Sequence, residues 1–427
     1  MRRLDEALRV LDAPPLGQRG LGDLLAGLGF GRGAPSGKVR RGPADPGALA
    51  RAHTDRDVAL LLRSFDPYAG ARLFRRARKG LAKQGAAEEV AWCDLVLAAF
   101  AEDASASPSR PSAADELRGS AERLAREHDL QSPRLDAMGK ILDGHEALRQ
   151  ARWNDALAGY EGALRKLADA GVVGTFEHGY ALSRVGFVHL LRGDAAGVAS
   201  LLPRHRAFLR ERGDAGVVIH AHLLRAVLEW LRGRFGGSEA ALEDAHRAMP
   251  GRLTTLPRSL VPLLGVLPDL HRTDGRASVD AFESGAVERA ARFGVFSSSL
   301  GAIYASLVAL ADACALRAGA PRASARRARK HARLAMRSAP VAAGDPERAL
   351  AYLADAEGNA EEAILRLQQA EEDASRHGRA LSAAIARYQR GRRLGGRTGD
   401  RLMDFARESV RKLGVTEILL EEDPALR

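Results

Sequence analysis

Residues Ala151 to Leu164 read ARWNDALAGYEGAL. On a helix, Trp153, Ala156, Tyr160 and Ala163 share one face, two large side chains alternating with two small ones, so a second helix can pack close. Gly144, nine residues before Trp153, lies in the preceding helical stretch and lets the two helices touch at the backbone. The pattern is the packing core of a helical hairpin.

The pattern recurs. Its equivalents are Ala195, Val198 and Leu202, preceded by Gly186, starting 42 residues after Trp153, and Phe235, Ser238, Leu242 and Ala245, preceded by Ala226, starting 40 residues later. A further copy reads Ala360, Ala363, Leu367 and Ala370, preceded by Ala351. A period near 40 residues means stacked hairpins, none of which can bury its apolar face alone. The expected fold is all-α, an α-solenoid of stacked hairpins, with function on a long curved surface rather than in one catalytic pocket.

Composition agrees. A chain of 427 residues exceeds one ordinary core, but a solenoid grows by burying each repeat against the next. Hydrophobic residues make up 46% and aromatic residues only 5%, which favours close-packed helices over a β-sandwich. The net charge of +11 raises nucleic acid as a partner, yet 58 of the 65 basic residues are Arg, the bias of a GC-rich coding sequence, and no nucleic-acid-binding motif accompanies the charge. Cys93 and Cys314 stand far apart and read as small buried hydrophobes. Charges at Asp5, Glu6 and Asp12 interrupt the apolar run a signal peptide needs, and Asp312 stops the longest apolar stretch short of a membrane span, so no membrane partner and a cytoplasmic location are expected.

Four segments follow in order. Residues 1–47 hold a short amphipathic helix through Leu4, Leu8 and Leu11, then a loop; 48–101 form helical hairpins, with a helix start at Asp66 and Pro67; 102–115 are a Ser/Pro/Ala linker or inserted loop; 116–427 are the repeat array. Turns are expected at Gly193-Asp194, Gly236-Gly237, Gly319 to Pro321, Gly344 to Pro346, Gly358 and Gly378, among others. Pro250, Pro257, Pro262 and Pro268 should break helices in the least regular part of the array.

No catalytic constellation survives a geometric test, and no cofactor or metal is expected. Gly37-Lys38 lacks the earlier Gly and the following Ser or Thr of a phosphate loop; His145-Glu146 lacks the second His of a zinc protease; His220 and His222 point to opposite sides of a helix. The strongest charge feature is Arg322 to Arg337, where Ala325, Ala328, Ala332 and Ala335 form one face and Arg326, Arg329, Lys330, Arg333 and Arg337 occupy the rest. It reads as a helix that packs by its alanines and solvates its arginines, or as a docking surface for an acidic partner, with Arg326, Arg329 and Arg333 as the residues to test. Within the repeats, His145, Tyr180, Ser183 and His220 are candidates to line the concave face. That register would also expose Leu148 and Leu223, so a core role is the alternative for each.

Arg152 to Leu164 resembles helix B of a tetratricopeptide repeat, with Gly144 and Gly186 at the expected helix A glycine. The period is about 40 rather than about 34 residues, and Ala168 stands where the closing Pro is expected. The longer period is similar to the superhelical repeats of maltose-activator-type regulators. More closely, Ser64 to Leu81, Ala147 to Leu164, Leu191 to Asp214 and Ala386 to Val415 resemble the C-terminal helical region of large bacterial proteins that join a serine/threonine kinase, a STAND-type ATPase and a repeat array. The resemblance implies a TPR-like α-solenoid, a right-handed superhelix of helical hairpins, that serves as a non-catalytic sensor or scaffold for a kinase or ATPase module in trans, or a detached fragment of such a protein. A basic regulator that binds nucleic acid is the other expectation.

Overall fold

The computed structural model describes residues 45–63, 67–104, 113–212, 215–248, 255–272, 275–283, 299–338 and 340–421. The expected helix and loop of residues 1–44 lie outside the described residues. Eighteen α-helices and no strand are found among those described. In chain order they are α1 (Pro46–Arg63), α2 (Pro67–Lys83), α3 (Ala87–Ala104), α4 (Ala113–Glu127), α5 (Pro133–Arg149), α6 (Trp153–Asp169), α7 (Phe176–Arg192), α8 (Ala195–Arg212) and α9 (Ala215–Leu231). They continue as α10 (Phe235–Arg247), α11 (Thr255–Arg272), α12 (Arg276–Glu283), α13 (Ser299–Arg317), α14 (Ala325–Ser338), α15 (Asp345–Ala356), α16 (Ala360–Arg376), α17 (Ala380–Leu394) and α18 (Gly396–Lys412). Short 3₁₀ turns follow α14 at Pro340–Ala342 and α18 at Glu417–Leu420. Consecutive helices pack on one another, as in an α-solenoid.

The four copies of the sequence pattern begin at Trp153, Ala195, Phe235 and Ala360, the first residues of α6, α8, α10 and α16. Their small positions Ala156, Val198, Ser238 and Ala363 are buried. In each copy the residue two places before the helix adopts left-handed backbone: Ala151 (φ 53°), Gly193 (φ 72°), Gly233 (φ 72°) and Gly358 (φ 78°). The amides there close the preceding helix in a Schellman motif. At the second copy, Gly193 donates to the Leu190 carbonyl and Asp194 to that of His189. Asp194 then caps α8 by accepting from the Gly197 amide at 2.9 Å. One two-residue turn therefore sets the angle between paired helices throughout, and glycine fills its left-handed position in three copies of four.

Inside a hairpin the helices touch where a side chain is missing. A Cβ on Gly144 would lie 2.6 Å from the Tyr160 ring, and one on Gly159 would lie 2.8 Å from the Gly144 amide nitrogen. Gly391 and Gly399 repeat the device between α17 and α18.

Two expectations are corrected. Gly236 and Gly237 lie in the first turn of α10, and the chain reverses at Gly233 instead. The helix α11 runs through Pro257, Pro262 and Pro268. Pro257 falls in the first turn, where the missing N–H has no helical partner, and the others each remove one hydrogen bond from a helix held by its packing on α9, α10 and α13. On either side of residues 105–112, α3 and α4 pack together as a hairpin.

The array does not remain an open spiral. Near its end the chain returns to α5–α9 and seals against their turns. Trp153 Nε1 donates to the His377 carbonyl at 2.6 Å, across 224 positions of sequence. The Thr416 amide donates to the Leu231 carbonyl at 3.1 Å. Gly193 sits under Leu381, and Gly233 under Thr416 and Ile418, so close that a Cβ on either glycine would clash. One apolar cluster joins Val198, Val227 and Leu231 to Leu381, Ile385, Tyr388 and Val410. A second joins Ala302, Val341 and Ala342 to residues of α3, α5 and α7.

Candidate functional site

Packing between neighbouring hairpins decides the fate of the expected concave lining. His145 is 3% exposed and bridges two tyrosines, with Nδ1 2.8 Å from Tyr160 Oη and Nε2 3.0 Å from Tyr180 Oη. Tyr180 is itself buried, stacked on Phe176, and its hydroxyl accepts from Arg184 at 3.0 Å. Leu148 and Leu223 are buried too. The register placing these residues on an open surface is corrected: helix A has a second buried side, covered by the neighbouring hairpins. His145 and Tyr180 are core residues, and only Ser183 keeps partial exposure without a core role.

His220 is a different case. Its ring stacks on His205 of α8 with centroids 5.6 Å apart, and the Nε2 atoms of both rings are buried without a hydrogen-bond partner. His205 Nδ1 donates to the Leu201 carbonyl at 3.0 Å, and His220 bonds the main chain of Ser183. Burial, reinforced by the neighbouring His205 and Arg184, pushes the His220 imidazolium down to about 3, and burial likewise lowers His205. Both rings are neutral at pH 7. Among the described residues no group of three or more His, Cys, Asp or Glu side chains is placed to hold a metal ion.

The basic stretch has a sharper geometry. Helix α14 buries Ala328, Ala332 and Ala335 completely or nearly so. Three of the arginines around it are committed to neighbouring elements. Arg322 reaches Asp280 of α12 at 3.2 Å, Arg327 grips Asp312 of α13 at 2.6 and 2.7 Å, and Arg329 pairs with Glu357 beyond α15. Arg329, expected among the docking residues, is therefore a half-exposed packing cation. Arg326, Lys330, Arg333 and Arg337 are exposed and make no ion pair with a described residue. Their spacing, i, i+4, i+7 and i+11, sets them in one stripe about 17 Å long. Sequence reasoning found the four cations but not which of the seven were spare, because the carboxylates that claim the others come from separate elements.

No protein-family model matches the chain, and no curated protein matches it.

At its C-terminal end the stripe runs into a cleft of about 800 Å³ between α14, the Pro340–Ala342 turn, α15 and α16. Met336, 44% exposed, and Arg337 stand on one wall with Pro340 and Pro346. Opposite lie Gln369, Glu372, Asp373 and His377. The cations there are mostly satisfied: Arg366 binds Glu347 at 3.0 Å and Glu362 at 2.7 Å, and Arg376 meets Asp373 at 3.6 Å. No sequence pattern announced this cleft, since its walls come from four elements and follow no helical period. Among the described residues no helix is long and apolar enough to cross a membrane.

Proposed function

We propose that this chain acts by contact rather than by chemistry, as a non-catalytic interaction and sensor module of a bacterial signalling system. Its partner is a protein, with a kinase or STAND-type ATPase module in trans as the first candidate. The observation that carries the reading is the outer stripe of α14. Four cations pair with no described residue, on a helix that packs by its alanines, while neighbouring arginines are paired. Exposed charge that contributes nothing to the fold is available for a partner, and it sits on a scaffold stiffened by contact between its own distant repeats.

The test is affinity capture from the native host with the whole chain immobilised, together with co-expression of kinase or ATPase reading frames that neighbour its gene. A stoichiometric protein partner retained at physiological salt is the expected result. Capture of none, or turnover of a substrate by the isolated chain, overturns the reading. A second reading, a regulator that binds nucleic acid, draws on the net charge of +11 and on the same stripe. It requires affinity that falls steeply with salt.

A further inference from the structure

Resting on that interaction role, the geometry points to the chemistry of the partner. We propose that the outer edge of α14 and the cleft at its end dock an acidic, amphipathic segment of a protein. Its carboxylates would lie along Arg326, Lys330, Arg333 and Arg337, and one apolar side chain would cover Met336 in the mouth of the cleft.

Three features select this occupant. The cations repeat at helical spacing over about 17 Å, so a helix carrying acidic residues at the same spacing meets all four at once. Met336 is among the few large hydrophobic side chains left exposed among the described residues, one helical turn from Arg333, and it lines the cleft with Arg337, Pro340 and Pro346. A groove that combines a cationic edge with an apolar seat fits an amphipathic peptide. Beyond Arg337 the spare positive charge does not continue: Glu347 and Asp373 are paired with Arg366 and Arg376, and Glu372 stands beside them. A phosphodiester backbone continuing along the groove would meet no spare cation there, whereas a peptide can end its acidic face at that point.

The probe is a fluorescent helical peptide of about five turns with Glu at i, i+4, i+7 and i+11 and a Leu flanking the last Glu. A Leu→Ser version and a duplex oligonucleotide complete the set. The chain should bind the first peptide in a saturable way. The fourfold change Arg326→Glu, Lys330→Glu, Arg333→Glu and Arg337→Glu should weaken it about thirtyfold, the sum of four exposed ion pairs of ordinary strength. Met336→Ser, or Leu→Ser in the peptide, should each cost about threefold, and the two together little more than either alone. The four cations support no packing, so the fourfold variant should melt with the parent. Arg329→Glu, which breaks the pair with Glu357, is the comparison for a charge change that does disturb packing.

Unchanged peptide affinity in the fourfold variant overturns the proposal. So does tighter binding of the duplex with a logarithmic salt slope near −3.6, the mark of about four neutralised phosphates. If a host partner is captured equally by the parent and by the fourfold variant, the interaction role stands and α14 is removed from it.

Discussion

The seal between the end of the chain and its middle can be tested at one atom. Gly193 and Gly358 occupy the same turn, with φ values of 72° and 78°. A Cβ on Gly358 would meet nothing within 4 Å, whereas one on Gly193 would lie 2.5 Å from Leu381 Cβ, at the start of α17. Gly358→Ala therefore carries only the backbone penalty. That is about 1–2 kcal/mol for the left-handed conformation, less about 0.4–1 kcal/mol recovered from a stiffer unfolded chain. Gly193→Ala carries the same penalty plus displacement of α17 by more than 1 Å. Overpacking of this kind costs about 1–3 kcal/mol, so the variant should lose about 1–5 kcal/mol in all, and about 1–3 kcal/mol more than Gly358→Ala. Urea unfolding followed by tryptophan fluorescence measures both, since Trp153 and Trp230 lie within the sealed region. Leu381→Gly added to Gly193→Ala removes the opposing atom, and the pair should couple favourably by about 1–3 kcal/mol. Equal midpoints for the two alanine variants would show that the returning chain does not press on Gly193, and the closed arrangement would be wrong.

Other perturbations probe separate links. Ala151 holds the left-handed turn position that glycine holds in the other copies, so Ala151→Gly should stabilise by about 0.5–1 kcal/mol, read as a higher urea midpoint. Trp153→Ala should cost about 3–5 kcal/mol and loosen the stretch around His377, while Trp153→Phe should cost about 1 kcal/mol for its hydrogen bond; hydrogen exchange at residues 377–385 separates the two. His220 is neutral in the fold and its folded pKa, about 3, lies below the unfolded value of 6.5, so its contribution is complete above pH 6.5 and is lost as pH falls toward 3. At 1.36 kcal/mol per unit the loss reaches about 3 kcal/mol by pH 4.5, and His220→Phe should flatten the stability profile between pH 6.5 and 4.5.

Much of the local fold was legible because a helical hairpin is a local object. The alternation of Trp153, Ala156, Tyr160 and Ala163 identifies a helix, its buried face and its first residue, and the copies at Ala195, Phe235 and Ala360 did the same. Mistakes arose where one residue type serves two ends. Gly236-Gly237 looked like the turn because paired glycines favour reversal, yet only Gly233 has left-handed backbone and the other two open the helix. Pro262 and Pro268 looked like breaks because a proline penalty is visible in sequence and compensating tertiary packing is not.

The longer-range contacts left no trace of that kind, and they bear most on function. Trp153 belongs to the hairpin pattern whether or not His377 lies above it, and no spacing rule connects Gly193 with Leu381. Packing of consecutive hairpins converts a surface expected to be concave and open into core at His145 and Tyr180, both of which bond through polar atoms that a sequence reading assigns to solvent. That burial, with the return of the chain onto the turns of α5–α9, explains why the spare cations of α14 matter. Once the inner side of the array is taken up by its own later repeats, recognition falls to faces that no hairpin covers. On α14 the division between the two roles runs along the helix itself. Arg327 and Arg329 turn toward Asp312 and Glu357 and hold the array together, while Arg326, Lys330, Arg333 and Arg337 face outward and pair with no described residue.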